Sequence, residues 1–115
     1  MGRGNRKPVD VANMKYPLAE AAARLRIKQM YQTQSDLAGE VAWSNSTLCT
    51  RLGRLRYQTT DHRWFETVLA MPKGTLANIK TGQELMDLAN TKVTAEQRAA
   101  AIAESFIVWV EDYVA

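Results

Sequence analysis

Cysteine and histidine are scarce in this sequence. The one cysteine, Cys49, cannot form an internal disulfide, which favours a protein of the reducing cell interior. The one histidine, His62, belongs to no cluster of metal ligands, and we expect it at the surface or near a helix start. Neither a phosphate-binding glycine loop nor a catalytic nucleophile motif occurs. The sequence therefore predicts a protein that is not an enzyme and that binds no metal, other cofactor or small-molecule ligand.

Long apolar runs are missing as well. No segment approaches the roughly 20 apolar residues of a membrane-spanning helix. Arg3, Arg6 and Lys7 lie in the first ten residues, but no apolar stretch follows them, so we expect no secretory signal. Alternating apolar and polar residues, the pattern of strands, are absent over any useful length. These absences predict a cytoplasmic, all-α protein without a membrane partner.

Charge is distributed unevenly along the chain. Residues 1–31 carry seven Lys and Arg against two Asp and Glu, residues 32–81 carry six against four, and residues 82–115 carry two against six. The net charge therefore falls from +5 through +2 to −4. This gradient favours a polyanion at the amino-terminal end, which indicates nucleic acid. An unevenly charged, solvated surface is the alternative interpretation.

Apolar residues recur at helical spacing along most of the chain. Good N-cap residues precede four of these stripes: Thr33, Ser44, Thr60 or Asp61, and Thr94, the last with Gln97 in a capping-box pattern. A proline at position 72 interrupts the fourth helix, and a glycine at position 82 is suited to end the fifth. The predicted helices cover residues 17–31, 34–41, 45 onward, 61 or 62 to about 71, 73–80, 83–90 and 95–113.

Residues 33–48, TQSDLAGEVAWSNSTL, resemble the helix-turn-helix of the phage repressor and Cro family. Ala38 is small where the next helix has to cross closely, and Ser44 can cap that second helix. Three apolar residues would hold the two helices together: Leu37, Val41 and Leu48. An ordinary α-hairpin with a serine cap shares these features. The resemblance covers residues 18–80 and implies a five-helix domain that binds double-stranded DNA through its third helix.

The sequence departs from the family pattern at three positions. Ala42 replaces the glycine that usually adopts a positive φ in the turn, so we expect the turn to differ. Trp43 replaces a small aliphatic residue, and we favour a place in the core for it. Arg51 occupies a position where the family usually buries Ile or Leu.

The resemblance divides the chain into three parts. We expect residues 1–14 to be a basic flexible arm, residues 15–81 to be the helix-turn-helix domain, and residues 82–115 to be an additional C-terminal helical segment. The residues expected to contact base edges are Asn45, Ser46 and Thr50. The residues expected to contact phosphates are Gln34, Thr47, Arg51, Arg54 and Arg56, together with Arg3, Arg6 and Lys7 of the arm.

A second segment, residues 71–82, resembles the same turn and recognition helix. It repeats the first motif after 28 residues, with Phe65, Thr75 and Leu76 in place of Leu37, Thr47 and Leu48. Glu66 stands where the first motif has Ala38, and its bulk and charge would separate the helices. We therefore favour residues 61–80 as the fourth and fifth helices. In the alternative, the DNA-contacting residues are Lys73, Thr75, Asn78 and Lys80.

The last predicted helix carries more apolar residues than its own packing requires. Because one recognition helix buries little surface, specific binding usually involves two half-sites and a dimer. We expect a homodimer through Ile102, Phe106, Ile107, Trp109, Val110 and Tyr113. The alternative is that this helix packs back onto the first helix.

Together these features predict a transcriptional regulator, a repressor rather than an activator, of the type found on phages and plasmids. Two alternatives remain open from the sequence. One is a DNA-packaging or replication adaptor such as a small terminase subunit, which would form a ring. The other is a protein-interaction module that inhibits a host factor.

Overall fold

The computed structural model describes residues 13–114, and within this range the chain contains helices and no strand. The helices are α1 Ala19–Tyr31, α2 Gln34–Val41, α3 Asn45–Arg54, α4 His62–Val68, α5 Thr75–Asn78, α6 Gly82–Asn90 and α7 Ala95–Trp109, followed by a C-terminal π-helical turn, Val110–Val114. The all-α prediction is thus confirmed for this part of the chain. The arm residues Arg3, Arg6 and Lys7 lie outside the described residues. No described helix combines the length and the apolar character that crossing a membrane demands.

Side-chain caps define where several helices begin. Thr33 accepts a hydrogen bond from the backbone N–H of Asp36, and Ser44 accepts one from that of Thr47, each at 3.1 Å. Thr94 and Gln97 form the expected capping box. These bonds satisfy backbone donors that have no partner within the helix. The predicted N-caps of α2, α3 and α7 are therefore confirmed.

The fifth helix is shorter than its apolar pattern predicted. Gly74 precedes it with a φ of 90°, and Ile79 follows it in an extended conformation. Thr81 then forms a second, unpredicted capping box with Glu84, which makes Gly82 the first residue of α6 and not the end of α5. The strong local cap therefore sets the boundary between the two helices.

The predicted N-cap of α4 has the right position, Asp61, but lacks the expected side-chain bond. The side chain is only 1% exposed and points into the protein, where it accepts hydrogen bonds from Arg51 and Tyr113. The Asp61 carboxylate therefore pairs with Arg51 and not with the backbone N–H groups at the start of α4.

Helix α4 lies at the centre of the core. Its Trp64, Phe65 and Val68 are at most 1% exposed, and they pack with apolar residues from α1, α2, α3 and α5. Val108 of α7 belongs to the same core, so the C-terminal segment is not a separate unit. The α1 helix contributes small side chains such as Ala22 and Ala23, which permit close approach of its neighbours.

The last helix packs mainly against α4 and partly against α2, whereas the alternative prediction placed it on the first helix. Its Ala101, Ser105 and Val108 are buried in this contact. Its link to α1 is polar: Arg98 Nε donates to the carbonyl of Met30 at 3.1 Å, and its guanidinium lies 4.7 Å from the Tyr31 ring. The apolar stripe of α7 is therefore divided between the core and the surface.

Arg26 of α1 is only 3% exposed although it is charged. Its guanidinium donates to four carbonyls at the ends of α4 and α6: Leu69 at 2.9 Å, Ala70 at 3.1 Å, Leu88 at 3.2 Å and Thr91 at 3.1 Å. Carbonyls at helix C-termini lack intrahelical donors, and their dipoles favour a cation. Burial lowers the pKa of Arg26, since no described carboxylate forms an ion pair with it. Arg26 thus joins two helix ends in the interior.

Candidate nucleic-acid interface

The turn between α2 and α3 is tight although it contains no glycine. Ala42 has a φ of 59° and a ψ of 32°, the left-handed conformation, and the N–H of Trp43 donates to the carbonyl of Ala38 at 3.1 Å. The expectation that alanine would change the turn is therefore wrong. Ala38 is 4% exposed and Leu48 is fully buried, so the two helices are held together by the residues that the sequence indicated.

Trp43 packs against the core, as favoured from the sequence. Its ring stacks on that of Trp64 with centroids 4.0 Å apart, and the side chain is half-buried. The indole therefore joins the turn before α3 to the central helix α4, which limits how the start of α3 can move.

Helix α3 separates apolar and polar residues cleanly. Leu48 and Leu52 are fully buried. The exposed residues of the helix are Asn45, Ser46, Thr47, Cys49, Thr50 and Arg54. Apart from Arg54 these side chains are short, so the helix can approach another surface closely, and most carry a hydrogen-bonding group. The three predicted base-contacting residues thus share one exposed face.

Gln34 connects α2 to the start of α3. Its side-chain amide donates to the Asn45 side-chain oxygen at 3.1 Å and to the Asn45 carbonyl at 3.3 Å. Its own oxygen accepts from Arg24 at 3.1 Å, and Arg24 in turn pairs with Glu20 at 2.7 Å. This chain of bonds fixes the Asn45 carboxamide by its oxygen and leaves its two N–H donors directed to other partners.

An open depression lies beside α3, and we call it the α3 depression. Its lining residues are Ser46, Thr47, Thr50, Arg51 and Arg54. Three hydroxyls and two guanidiniums therefore surround one small volume of solvent. The predicted base-contacting and phosphate-contacting residues are not separated there, because they share this surface.

Arg51, which lines the α3 depression, is fixed by an ion pair and two aromatic rings. Its Nη1 lies 2.8 Å from Asp61 Oδ1, and its guanidinium carbon lies 4.6 Å from the Tyr113 ring and 5.0 Å from the Trp43 ring. The Tyr113 hydroxyl donates to the same Asp61 oxygen. Burial, followed by this hydrogen bond, raises the pKa of Tyr113. Sequence reasoning missed this cluster because its members are separated by up to 70 residues and no local pattern connects them.

Arg56 is engaged within the protein as well. Its Nε lies 3.0 Å from Glu20, and its guanidinium lies 5.4 Å from the Tyr57 ring. Its carbonyl accepts hydrogen bonds from the backbone N–H groups of Lys15 and Tyr16 at 3.0 and 2.9 Å. The described chain therefore begins beside the loop that follows α3.

The second motif has a different geometry. Glu66 is buried and its Oε2 accepts from the N–H of Leu76 at 2.9 Å, so it joins α4 to α5 and does not separate them. Helix α5 has only four residues. Lys73, Asn78 and Lys80 are exposed and Thr75 is half-buried, but Glu84 and Asp87 border the same cleft as Thr75 and Asn78. Hydrogen bonds from Lys80 and Thr81 lower the pKa of Glu84, which keeps a negative charge at this surface.

His62 is the first residue of α4, so it lies near a helix start as expected, but it is buried and not at the surface. It is 5% exposed, its Nε2 lies 2.9 Å from the Leu55 carbonyl, and its ring meets that of Tyr16 edge-on. Because a carbonyl only accepts, Nε2 carries the proton in this contact. Its role is therefore to connect the end of α3 with α4.

An apolar patch remains exposed on α7 and the turn after it. Phe106, Ile107, Trp109 and Val110 are 43%, 52%, 39% and 49% exposed. The other two predicted dimerisation residues, Ile102 and Tyr113, pack against the core. A small pocket lined by Phe106, Trp109, Trp43 and Trp64 connects this patch with the turn before α3.

Within residues 13–114, no three His, Cys, Asp or Glu side chains are arranged to hold a metal ion. Comparisons of the chain with protein-family profiles, with curated proteins and with solved structures give no match.

Proposed function

We propose that the protein is a sequence-specific regulator that binds double-stranded DNA, with α2 and α3 as a helix-turn-helix within a five-helix domain. The observation that carries the proposal is the exposed face of α3, which presents short polar side chains from a helix anchored by Leu48 and Leu52. A major groove admits one helix, and short polar residues can reach the base edges there.

The contacts follow from how each side chain is held. Gln34 occupies the oxygen of the Asn45 carboxamide, so Asn45 offers donors and favours acceptors such as N7 of a purine or O4 of thymine. Ser46 and Thr50 lie on the same face and contact neighbouring bases. Arg54 is exposed and forms no ion pair with the described part of the chain, which makes it suitable for a backbone phosphate.

The charge gradient supports this orientation. The first 31 residues carry the positive excess, and Lys15 lies beside the loop after α3. We propose that Arg3, Arg6 and Lys7 contribute phosphate contacts from the segment that precedes Lys15 in the sequence. The second motif is less suitable, because four helical residues cannot span a groove and Glu84 and Asp87 would repel phosphates. We therefore retain the first motif as the DNA-binding element.

We further propose that the protein acts as a homodimer through the exposed apolar patch of α7. Two recognition helices on adjacent half-sites bury enough surface for specific binding.

The test uses Cys49, the only cysteine, which is exposed on α3. The full chain is incubated with a library of random double-stranded DNA, the retained fragments are sequenced, and Cys49 alkylation is followed with and without them. We expect protection of Cys49 and salt-sensitive retention, with a loss of about 1–3 kcal/mol per base contact in an Asn45→Ala/Thr50→Ala variant. The matched control is Lys73→Gln/Asn78→Ala, which leaves α3 intact.

The outcomes separate the hypotheses. Retention that is lost only in the Lys73→Gln/Asn78→Ala variant would assign DNA binding to the second motif. No retention and no protection would contradict the proposal. That result would favour the second candidate, an interaction module that inhibits another protein, for which the exposed Phe106 and Ile107 are the supporting observation. A ring-shaped oligomer with bound DNA would favour a packaging adaptor.

A further inference from the structure

We infer that the α3 depression binds one oxyanion, and that Asp61 and Tyr113 are positioning residues that orient Arg51 toward it. Within the proposed function the oxyanion is a DNA backbone phosphate, and this identification rests on that proposal. The binding of the oxyanion itself does not, because it follows from the donors that line the depression.

The donors of the depression suit a tetrahedral oxyanion. Arg54 contributes an exposed guanidinium, and the Thr50 hydroxyl makes no hydrogen bond within the described residues. The Ser44 hydroxyl donates to the Thr47 hydroxyl oxygen at 2.8 Å, which orients the Thr47 side chain at the start of the helix. With Arg51 and Arg54 positive and Asp61 negative, the local charge is +1. Charge-assisted hydrogen bonds from guanidinium to phosphate are the strongest contacts of this kind.

Arg51 is prepared for this role by its neighbours. Asp61 is 1% exposed, and its second oxygen, Oδ2, has no hydrogen-bond partner in the described part of the protein. Among the described residues, Arg51 and Tyr113 therefore provide the hydrogen bonds to this buried carboxylate, and breaking such a pair is costly. Trp43 and Tyr113 flank the guanidinium, so its conformational freedom is already restricted before a ligand arrives.

The experiment distinguishes the charge of Arg51 from the positioning of its guanidinium by Tyr113. Arg51→Gln removes a cation, so the slope of log K against log salt should fall by about 1, as for any lost phosphate contact. Tyr113→Phe removes one hydroxyl and no charge, so affinity should fall several-fold while the slope stays the same. The matched control is Tyr31→Phe, which removes another buried hydroxyl, bonded to the Val68 carbonyl and not among the residues that line the α3 depression.

A second measurement needs no DNA. Inorganic phosphate is titrated into the full chain at constant ionic strength, with chloride as the reference anion, and the backbone amide resonances are followed. We expect saturable shifts in residues 46–54, weaker in Arg54→Gln and in Tyr113→Phe and unchanged in Tyr31→Phe. Arg54 is exposed, so its variant is expected to fold even if Tyr113→Phe does not.

The two arms separate the inference from the proposed function. Phosphate shifts without DNA retention would support the oxyanion site while overturning the regulator. DNA retention with normal affinity in Arg51→Gln and Tyr113→Phe would overturn the inference and leave the regulator intact. Equal shifts with chloride and phosphate, or equal losses in the two tyrosine variants, would also overturn it.

Discussion

At the scale of single residues, the interior of this protein depends on a few buried polar groups. Arg26 is the largest of them, and its guanidinium bonds carbonyls of Leu69, Ala70, Leu88 and Thr91. A buried carbonyl without a donor costs about 1–3 kcal/mol. The stability of the α4 and α6 ends therefore depends on one α1 side chain.

We predict that Arg26→Met lowers the free energy of unfolding by roughly 3 kcal/mol or more, because several carbonyls lose their donor together. Urea denaturation followed by circular dichroism measures the change. Lys28→Met is the control, since Lys28 is exposed on the same helix. A loss for Arg26→Met no greater than that of the control would contradict the role assigned to the guanidinium.

Tyr31 provides a pH-dependent prediction. Burial raises its pKa from 10.0 to about 12, so the folded protein favours the neutral phenol. The resulting stabilisation of the folded state is fully present below about pH 10 and is lost as the pH rises through about 12. The total loss in the free energy of unfolding is roughly 3 kcal/mol. At pH 8 the free energy of unfolding of wild type should exceed that of Tyr31→Phe by about 1 kcal/mol, because only wild type has the hydrogen bond to the Val68 carbonyl.

Denaturation of both proteins at pH 8 and about pH 11 tests this difference. By about pH 11 the penalty for ionising Tyr31 in wild type reaches about 1.4 kcal/mol, so the advantage of wild type should vanish or reverse. Other groups titrate in both proteins, so their contributions to the pH dependence of stability cancel when the two proteins are compared. A constant difference between the two pH values would refute the assignment.

At the scale of helices, the turn between α2 and α3 carries conformational strain. Ala42 has a positive φ, which costs an L-residue roughly 1–2 kcal/mol and costs glycine almost nothing. Glycine is also more flexible in the unfolded chain. The net gain in the free energy of unfolding on replacing Ala42 with glycine is therefore smaller than this strain energy.

We predict that Ala42→Gly raises the free energy of unfolding by about 0.5–1 kcal/mol. Ala103→Gly is the control, because Ala103 is exposed within α7, where the same change should cost about 1 kcal/mol. Thermal and urea unfolding of the two variants gives the comparison. Destabilisation of similar size in both would show that the left-handed turn is not strained.

The helices also show what a sequence can predict. Caps such as Thr33, Ser44 and Thr94 act over three residues, so a local pattern determines them and the helix starts were predicted correctly. The length of α5 was predicted incorrectly, because the capping box of Thr81 and Glu84 starts α6 close behind it. The burial of Arg26 and His62 depends on contacts with Leu69 and Tyr16, which are distant in sequence and which no periodicity reveals.

At the scale of the whole molecule, both ends of the described segment contact α3 or the loop that follows it. Tyr113 contacts Arg51 from the C-terminal turn, and Lys15 bonds the loop after α3 from the other end. The sequence indicated the exposed face of α3, because a helical pattern specifies a face. It did not indicate that Asp61 and Tyr113 hold Arg51, since only the tertiary fold brings them together.

The apolar patch of α7 leads to the prediction at this scale. Phe106 and Ile107 are about half exposed and adjoin Trp109 and Val110, whereas α4 already covers the opposite side of the helix. If a second copy covers the patch, a charge at its centre would be desolvated without a partner. We therefore predict that Phe106→Glu weakens self-association at least about tenfold, which corresponds to about 1.4 kcal/mol.

Sedimentation equilibrium over a range of concentrations measures this change. The control is Met86→Glu, because Met86 is an exposed apolar residue of α6, outside the patch, with 60% of its surface accessible. Equal association of wild type, Phe106→Glu and Met86→Glu would exclude the patch as a dimer contact. If Phe106→Glu alone becomes monomeric, its loss of DNA affinity should exceed that of Met86→Glu, because two linked recognition helices bind far more tightly than one.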